Sequence, residues 1–328
     1  MKKLIVISGY GVSIRARKGV FIIQRKGEKP AEISPAEVDS IVVTTQAVSI
    51  SSAAIQLAAK MGIDLAFYDQ WTPLARLIPA TYGSTLKTWK RQIIASKKRR
   101  VDFAKAFVQG KVYNQRQVLY SLAKIKQNTT RQARARIREA IEDASTALQT
   151  LEKLETVDQV RSQEAHVAKT YWRAVSQVLP QQLGFKTRIK KYTLPPGEQP
   201  DPFNIALNIG YSLLLKETWR AIFNVGLNPF YGFLHAKRPG RMSLVLDLME
   251  EFRPIAVDRP LIRLARKEPD TIRKAPEDKQ QRSKIWKTVW TQLTETQKPL
   301  KNQIQTQARK LAKAILENKP YHPYTAPW

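Results

Sequence analysis

Residues 137–151 read Ile-Arg-Glu-Ala-Ile-Glu-Asp-Ala-Ser-Thr-Ala-Leu-Gln-Thr-Leu, with apolar side chains at Ile137, Ile141, Ala144, Leu148 and Leu151. The intervals of 4, 3, 4 and 3 follow the helical period and not the alternation of a strand. They predict a helix with one apolar stripe beside a strongly basic face. The same texture extends outward. Helices are expected over roughly 88–127, 156–177, 203–225, 243–252 and 300–317. Two segments interrupt them: Pro195-Pro-Gly-Glu-Gln-Pro200 reads as a loop, and 267–284 is polar and charged, so it is expected to be exposed and mobile.

Upstream of residue 83 the pattern is different. Leu4-Ile-Val-Ile-Ser8, Ser13-Ile-Arg-Ala-Arg17, Gly19-Val-Phe-Ile-Ile-Gln24, Ser40-Ile-Val-Val-Thr44, Ile63-Asp-Leu-Ala-Phe-Tyr68 and Leu74-Ala-Arg-Leu-Ile78 are short and rich in β-branched residues. Glycines and charged turns separate them, as strands require. One helix, 53–60, is expected among them, capped by Ser51 or Ser52 and ended by Gly62. The expected fold class is α+β: a small, mostly-β N-terminal domain over 1–82 and a larger all-α domain over 83–328.

The 328 residues include 56 Lys and Arg against 27 Asp and Glu, a formal net charge of +29. Such a charge repels itself unless a polyanion answers it. With 43% hydrophobic residues the chain is a folded protein and not a basic tail. Basic clusters lie at Lys97-Lys98-Arg99-Arg100, at Arg131, Arg134, Arg136 and Arg138, at Lys186, Arg188, Lys190 and Lys191, and at Lys237, Arg238 and Arg241. Any one of them suits a solvated face; together they suit nucleic acid read by backbone and shape. There is no cysteine, which excludes a disulfide scaffold, a thiol nucleophile and a zinc ribbon. No run approaches the roughly 20 apolar residues of a membrane helix, and Gly9 and Gly11 cut short the only apolar start, so a soluble, cytoplasmic protein is expected.

Candidate chemistry rests on acids and imidazoles in apolar surroundings. Glu164 shares a helix face with Val160, Val167, Ala168, Tyr171 and Val175. His235 ends Gly226-Leu-Asn-Pro-Phe-Tyr-Gly-Phe-Leu-His235, and Asp247 and Glu250 share a face in Leu244-Val-Leu-Asp-Leu-Met-Glu-Glu-Phe252. Each has a plain structural reading: an edge glutamate, a core histidine, an amphipathic helix. Taken together they form a mixed oxygen and nitrogen set suited to Mg²⁺ or Mn²⁺. Lys237, Arg238, Arg241 and Arg253 are near enough in sequence to offset charge on a reacting phosphate.

The chain resembles the CRISPR-associated integrase family that inserts new spacers, Cas-one, along nearly its whole length. The resemblance is carried by Val42-Val-Thr-Thr-Gln-Ala-Val-Ser-Ile-Ser-Ser-Ala-Ala-Ile55, Gly62-Ile-Asp-Leu-Ala-Phe67, Lys111-Val-Tyr-Asn-Gln115, Glu164 ahead of Tyr171-Trp172, and Asp201-Pro-Phe-Asn-Ile-Ala-Leu-Asn208. Most specific are the block ending at His235 and Arg241-Met-Ser-Leu-Val-Leu-Asp-Leu-Met-Glu-Glu-Phe-Arg-Pro254. It implies an N-terminal domain for dimerisation and DNA contact, and a helical catalytic domain whose metal ligands fall on Glu164, His235 and Glu250. Asp247 then takes a supporting or alternative ligand role. Lys111 and Arg91 join Lys237, Arg238, Arg241 and Arg253 as DNA contacts. Two departures stand out: Glu250 where some relatives have Asp, and Glu164-Ala165-His166 where Glu-Gly is expected.

The resemblance implies a metal-dependent DNA endonuclease and integrase of CRISPR adaptation, using Mg²⁺ or Mn²⁺. The 3′-hydroxyl of a captured duplex attacks a phosphodiester of the repeat by transesterification. The implied partners are double-stranded DNA, a second copy of the chain and CRISPR-associated protein two, with no membrane. The rival readings are a structure-specific repair nuclease and a non-catalytic DNA-binding scaffold.

Overall fold

Strands form near the N-terminus because their apolar residues reach an apolar interior, on one face in some runs and on both in 41–43 and 64–66, where consecutive residues are buried. In a computed structural model of the chain, which describes residues 3–69, 72–78, 84–125, 130–189, 194–195, 197–236 and 238–327, they build two four-stranded sheets. One has the order β1 (Lys3–Ile7), β5 (Val38–Val43), β7 (Asp64–Asp69) and β8 (Thr72–Leu77), the first three parallel. The other has the order β4 (Ala31–Ile33), β3 (Val20–Arg25), β2 (Val12–Arg17) and β6 (Val48–Ile50). Lys18 and Gly19, both at positive φ, join Arg17 to its partner Val20 in a two-residue hairpin turn. Ile14, Phe21, Ile41 and Leu65 meet between the sheets with Ala54 and Ala58 of α1 (Ser52–Lys60). The Ser51 hydroxyl caps α1 by accepting from Ala54 N at 3.2 Å. On the opposite face Val42, Ala66 and Tyr68 pack with Phe223.

From residue 84 the chain is helical. The helix expected over 88–127 is two, α2 (Ser84–Lys98) and α3 (Arg100–Ala123), broken at Arg99 with φ −129 and ψ 26. They are followed by α4 (Arg131–Thr150), α5 (Val157–Ser176), α6 (Pro202–Asn224) and α7 (Ser243–Glu250). The stripe of residues 137–151 is buried: Ala144, Ala147 and Leu151 pack with Ala104, Val108 and Val112 of α3 and with Val160 and Val167 of α5. A capping box of Thr156 and Gln159 starts α5. A π-turn over Pro254–Asp258 leads to α8 (Arg259–Lys267), α9 (Pro269–Lys274), α10 (Lys279–Thr294) and α11 (Leu300–Glu317).

The segment 267–284 is therefore not a mobile loop. It is helical for most of its length, and Ile272 and Ala275 are fully buried. Its apolar residues come singly, in a helix of six residues, too short to show a period against the surrounding charge.

The chain divides into two compact units, 1–94 with 222–228, and 95–221 with 229–328. The change of texture that the sequence places at residues 82 and 83 falls within 79–83, outside the described residues.

Two buried acids organise the helical unit. The Glu251 carboxylate accepts from the Tyr321 hydroxyl and from Tyr324 N, both at 2.6 Å, and so anchors the segment after α11. Asn114 of α3 holds the same segment, donating to the Glu251 and Tyr324 carbonyls at 2.8 and 3.0 Å and accepting from Ala326 N at 2.9 Å. A Cβ on Gly110 would lie 2.9 Å from both Glu251 Cγ and Pro323 Cβ, so only glycine admits this approach. The second acid, Asp258, is 1% exposed and accepts from the hydroxyls of Tyr211 at 2.6 Å and Tyr171 at 3.1 Å.

Burial pushes the Asp258 carboxyl from 3.8 up to about 6, against the pull of its two tyrosine donors and Arg253. The folded chain thus keeps a proton between about pH 4 and 6 that the unfolded chain has released, and the stability tied to it falls as pH rises through that interval. The difference in urea-unfolding free energy between the unaltered chain and Asp258→Asn is expected to decline from about pH 4 to 6 and then level off. A difference independent of pH would contradict this.

Candidate active site

Three elements of the helical unit bring charged side chains to one place. Lys111 comes from α3, Glu164 from α5 and Glu250 from the end of α7. The Lys111 ammonium forms ion pairs with the Glu164 carboxylate and, at 2.7 Å, with Glu250 Oε2. Glu250 Oε1 lies 3.1 Å from Arg253 Nε and 3.8 Å from His235 Nε2. Burial opposes the charge on Glu250, but Arg253, Lys111 and His235 outweigh it and hold the carboxyl down at about 2. Burial likewise works to strip the Lys111 proton, and the two glutamates overcome it, so the ammonium holds its proton more tightly than an ordinary lysine.

His235 is aimed by Asp247. That carboxylate is fully buried and accepts four hydrogen bonds: from Phe233 N at 2.5 Å, Leu234 N at 3.0 Å, His235 N at 2.9 Å and the His235 ring nitrogen Nδ1 at 2.7 Å. A carboxylate only accepts, so Nδ1 donates to Asp247, and Nε2 is turned toward Glu250. Asp247 is saturated by these contacts and acts here as the group that orients His235. Gly232 lets the loop press against α7, because a Cβ there would lie 2.6 Å from Asp247 Oδ2 and 2.7 Å from the Ser243 carbonyl carbon.

The structure thus gathers Glu164, His235, Glu250 and Asp247. Lys111 and Arg253, read from the sequence as DNA contacts, turn inward: Lys111 is 9% exposed between the glutamates, and the Arg253 guanidinium stands 4.7 Å over the Tyr211 ring. Arg238 is exposed and Arg241 half-buried, while Lys237 lies outside the described residues. Arg91 belongs to the other compact unit, where it lines a cleft of about 320 Å³ with Lys87, Lys90 and Ile94. His166 is exposed beside Asp143, 3.6 Å away, and takes no part in the cluster. Sequence reasoning missed Asp258 and Tyr211, which brace Arg253 from behind. An acid inside the apolar run Pro254-Ile-Ala-Val-Asp258 was the available signal.

Two carboxylates and an imidazole, its Nε2 3.8 Å from one of them, fit a hard divalent cation in donor type. Both Glu250 oxygens already face cationic nitrogens, Oε2 the Lys111 ammonium at 2.7 Å and Oε1 Arg253 Nε at 3.1 Å, so a metal ion would have to share or displace these contacts. Among the described residues no three His, Asp or Glu side chains already stand as a metal cage, and the Lys111 ammonium lies between the two glutamates. Among the described residues no helix is long and apolar enough to cross a membrane.

The family model for CRISPR associated protein Cas1 matches residues 5–294. CRISPR-associated endonuclease Cas1 1 of Saccharolobus solfataricus is 41% identical over 326 residues, 99% of this chain and 84% of that protein. Among solved structures, a casposase bound to its integration product aligns with a TM-score of 0.77 at 24% identity, over 100% of this chain and 99% of the other. A Cas1 protein of Thermotoga maritima aligns with a TM-score of 0.75 at 18% identity, over 96% of each chain. A chain of a partial Cas6-RT-Cas1–Cas2 complex aligns with a TM-score of 0.68 at 17% identity, over 100% of each.

Removing Lys111 takes away the ammonium between the half-buried Glu164 and the buried Glu250, which keeps only Arg253 as a cationic partner. In the presence of chelator, Lys111→Met is expected to lower the urea-unfolding free energy by about 3 kcal/mol, and adding Glu250→Gln is expected to restore part of it. Two substitutions with additive effects would show that the ion pairs are not coupled.

Proposed function

The chain belongs to the Cas1 family of CRISPR-associated proteins, and we propose that it is a metal-dependent DNA endonuclease and integrase that joins 3′-hydroxyl ends of captured DNA to a CRISPR repeat. The observation that carries this reading is the convergence of Glu164, His235 Nε2 and Glu250 beside Lys111, with Asp247 locking the imidazole. The name endonuclease on the Saccharolobus relative and the integration product in the casposase structure support it.

Glu164, His235 and Glu250 would hold Mg²⁺ or Mn²⁺. Such a cation polarises a phosphodiester and eases ionisation of the attacking hydroxyl. In the joining step the 3′-oxygen forms a bond to a repeat phosphorus, the bond from that phosphorus to the repeat's own 3′-oxygen breaks, and the proton of the attacking hydroxyl ends on the leaving oxygen. The chain's own residues prepare this step. Asp247 keeps the proton on Nδ1, so that Nε2 stays available. Lys111 neutralises the glutamates and lies where a phosphate oxygen can share its ammonium. Arg253 holds Glu250 in place. Arg238, Arg241 and Lys237 are placed in sequence to meet DNA phosphates, and Arg91 does so from the N-terminal unit. Water in place of the hydroxyl gives strand cutting by the same site, as the relatives' name suggests. The proposed assembly is a homodimer with Cas2 on double-stranded DNA, and the structural neighbour drawn from a Cas6-RT-Cas1–Cas2 complex supports the partnership with Cas2.

The test is joining of a labelled duplex end to a supercoiled plasmid. Chelator is expected to abolish joining. Glu164→Ala and His235→Ala are expected to reduce it at least about hundredfold, and Asp247→Asn by about ten- to hundredfold. DNA affinity measured in chelator stays near normal, falling steeply with added salt. Joining that survives chelator, or that persists in Glu164→Ala, would overturn the proposal.

A further inference from the structure

Helix α10 carries Lys279, Arg282, Lys284 and Lys287 and no acidic residue. Its inner stripe, Ile285, Val289 and Leu293, is fully buried. Beside that stripe Trp286 and Trp290 stack on each other, ring centroids 5.0 Å apart and planes 16° from parallel. Trp286 is nonetheless 42% exposed. An indole left at the surface forgoes a large apolar burial, and here the pair sits among cations that a buried interface would have to desolvate. Arg282 lies one turn before Trp286, and Lys287 three residues before Trp290, so each ring has a basic neighbour on the helix surface. The acids that flank the helix are already engaged: Asp278 caps it through Gln280 N and Gln281 N, and Glu295 accepts from the Thr291 hydroxyl.

Stacked aromatic rings flanked by cations match one ligand chemistry, unpaired bases on a phosphate backbone. A duplex hides the faces of its bases inside the stack, and only an unpaired strand offers them to an indole. A second copy of this chain is disfavoured as occupant by the charge of +29 on each partner. We propose that Trp286 and Trp290 form a stacking platform for an unpaired DNA strand, with Arg282 and Lys287 contacting its phosphates. The inference rests on the reading that this chain handles DNA ends, and adds that the DNA is single-stranded where it passes α10.

The test uses the full chain in chelator, so that no strand is cut or joined. Three probes are compared: a short oligothymidylate, an abasic strand of equal length and charge, and a blunt duplex. The unaltered chain is expected to bind the oligothymidylate more tightly than the abasic strand, with quenching of tryptophan fluorescence. Trp286→Ala and Trp290→Ala are each expected to weaken oligothymidylate binding about tenfold and to erase the preference over the abasic strand, leaving duplex affinity within about twofold. Trp286→Phe keeps a stacking face and restores most of the loss, which separates stacking from a folding defect. Equal affinity for thymidylate and abasic strands in the unaltered chain would overturn the platform. So would equal weakening of duplex and single-strand binding, or a change in self-association with thymidylate binding intact. Joining of a blunt duplex is read in a separate assay with Mg²⁺ or Mn²⁺ in place of chelator: its absence there, alongside normal thymidylate selectivity in chelator, counts against the integrase proposal and not against the platform.

Discussion

Glu250 is a carboxylate with 6% of its side chain exposed, and a charge in that position must be answered from several directions at once. Lys111 and Arg253 answer it, with the His235 ring on a third side. Lys111 can do so only because α3 passes between α5 and α7, and in doing so it also binds Glu164. The requirement for neutrality thus fixes which helices meet. It also keeps Glu250 ionised, its carboxyl held down at about 2. Arg253 in turn is braced by the Tyr211 ring, which is bonded to Asp258.

Two consecutive residues show how sharply position decides chemistry. Glu250 is held down at about 2, whereas burial pushes its neighbour Glu251 up to about 8. Successive helical residues point about 100° apart, so Glu250 faces the cations while Glu251 faces Tyr321 and the chain's last segment. One acid belongs to the charged cluster beside α7, and the other ties that helix to the C-terminal segment. Asn114 of α3 works on the same side as Glu251, so the Lys111-to-Gln115 motif serves both faces: Lys111 sets the charge and Asn114 sets the backbone.

Much of this was legible in the residues. The stripe of residues 137–151 is the buried face of α4, and 300–317 is a helix over that full range. Glu164, His235 and Glu250 were marked by acids and imidazole in apolar surroundings, and they lie together. What the sequence concealed depends on direction. Lys111 looks like any basic residue of a basic chain, and only three-dimensional packing turns it toward the glutamates. Asp247 and Glu250 share a helix face in sequence, yet one is saturated by the 233–235 backbone and the other is met by the side chains of Lys111 and Arg253. The short helices within 267–284 are hidden by the charge that dominates their composition, and the tryptophan-bearing helix α10, which begins in that stretch, was not among the helices expected.

The central claim is that these side chains are gathered to hold one divalent cation. Electron paramagnetic resonance of Mn²⁺ titrated into the full chain measures this without reference to any reaction. The account predicts one saturable site, lost in Glu250→Gln and weakened about ten- to hundredfold when Asp247→Asn releases the imidazole. Mn²⁺ binding unchanged in Glu250→Gln, or no saturable binding to the unaltered chain, would contradict it.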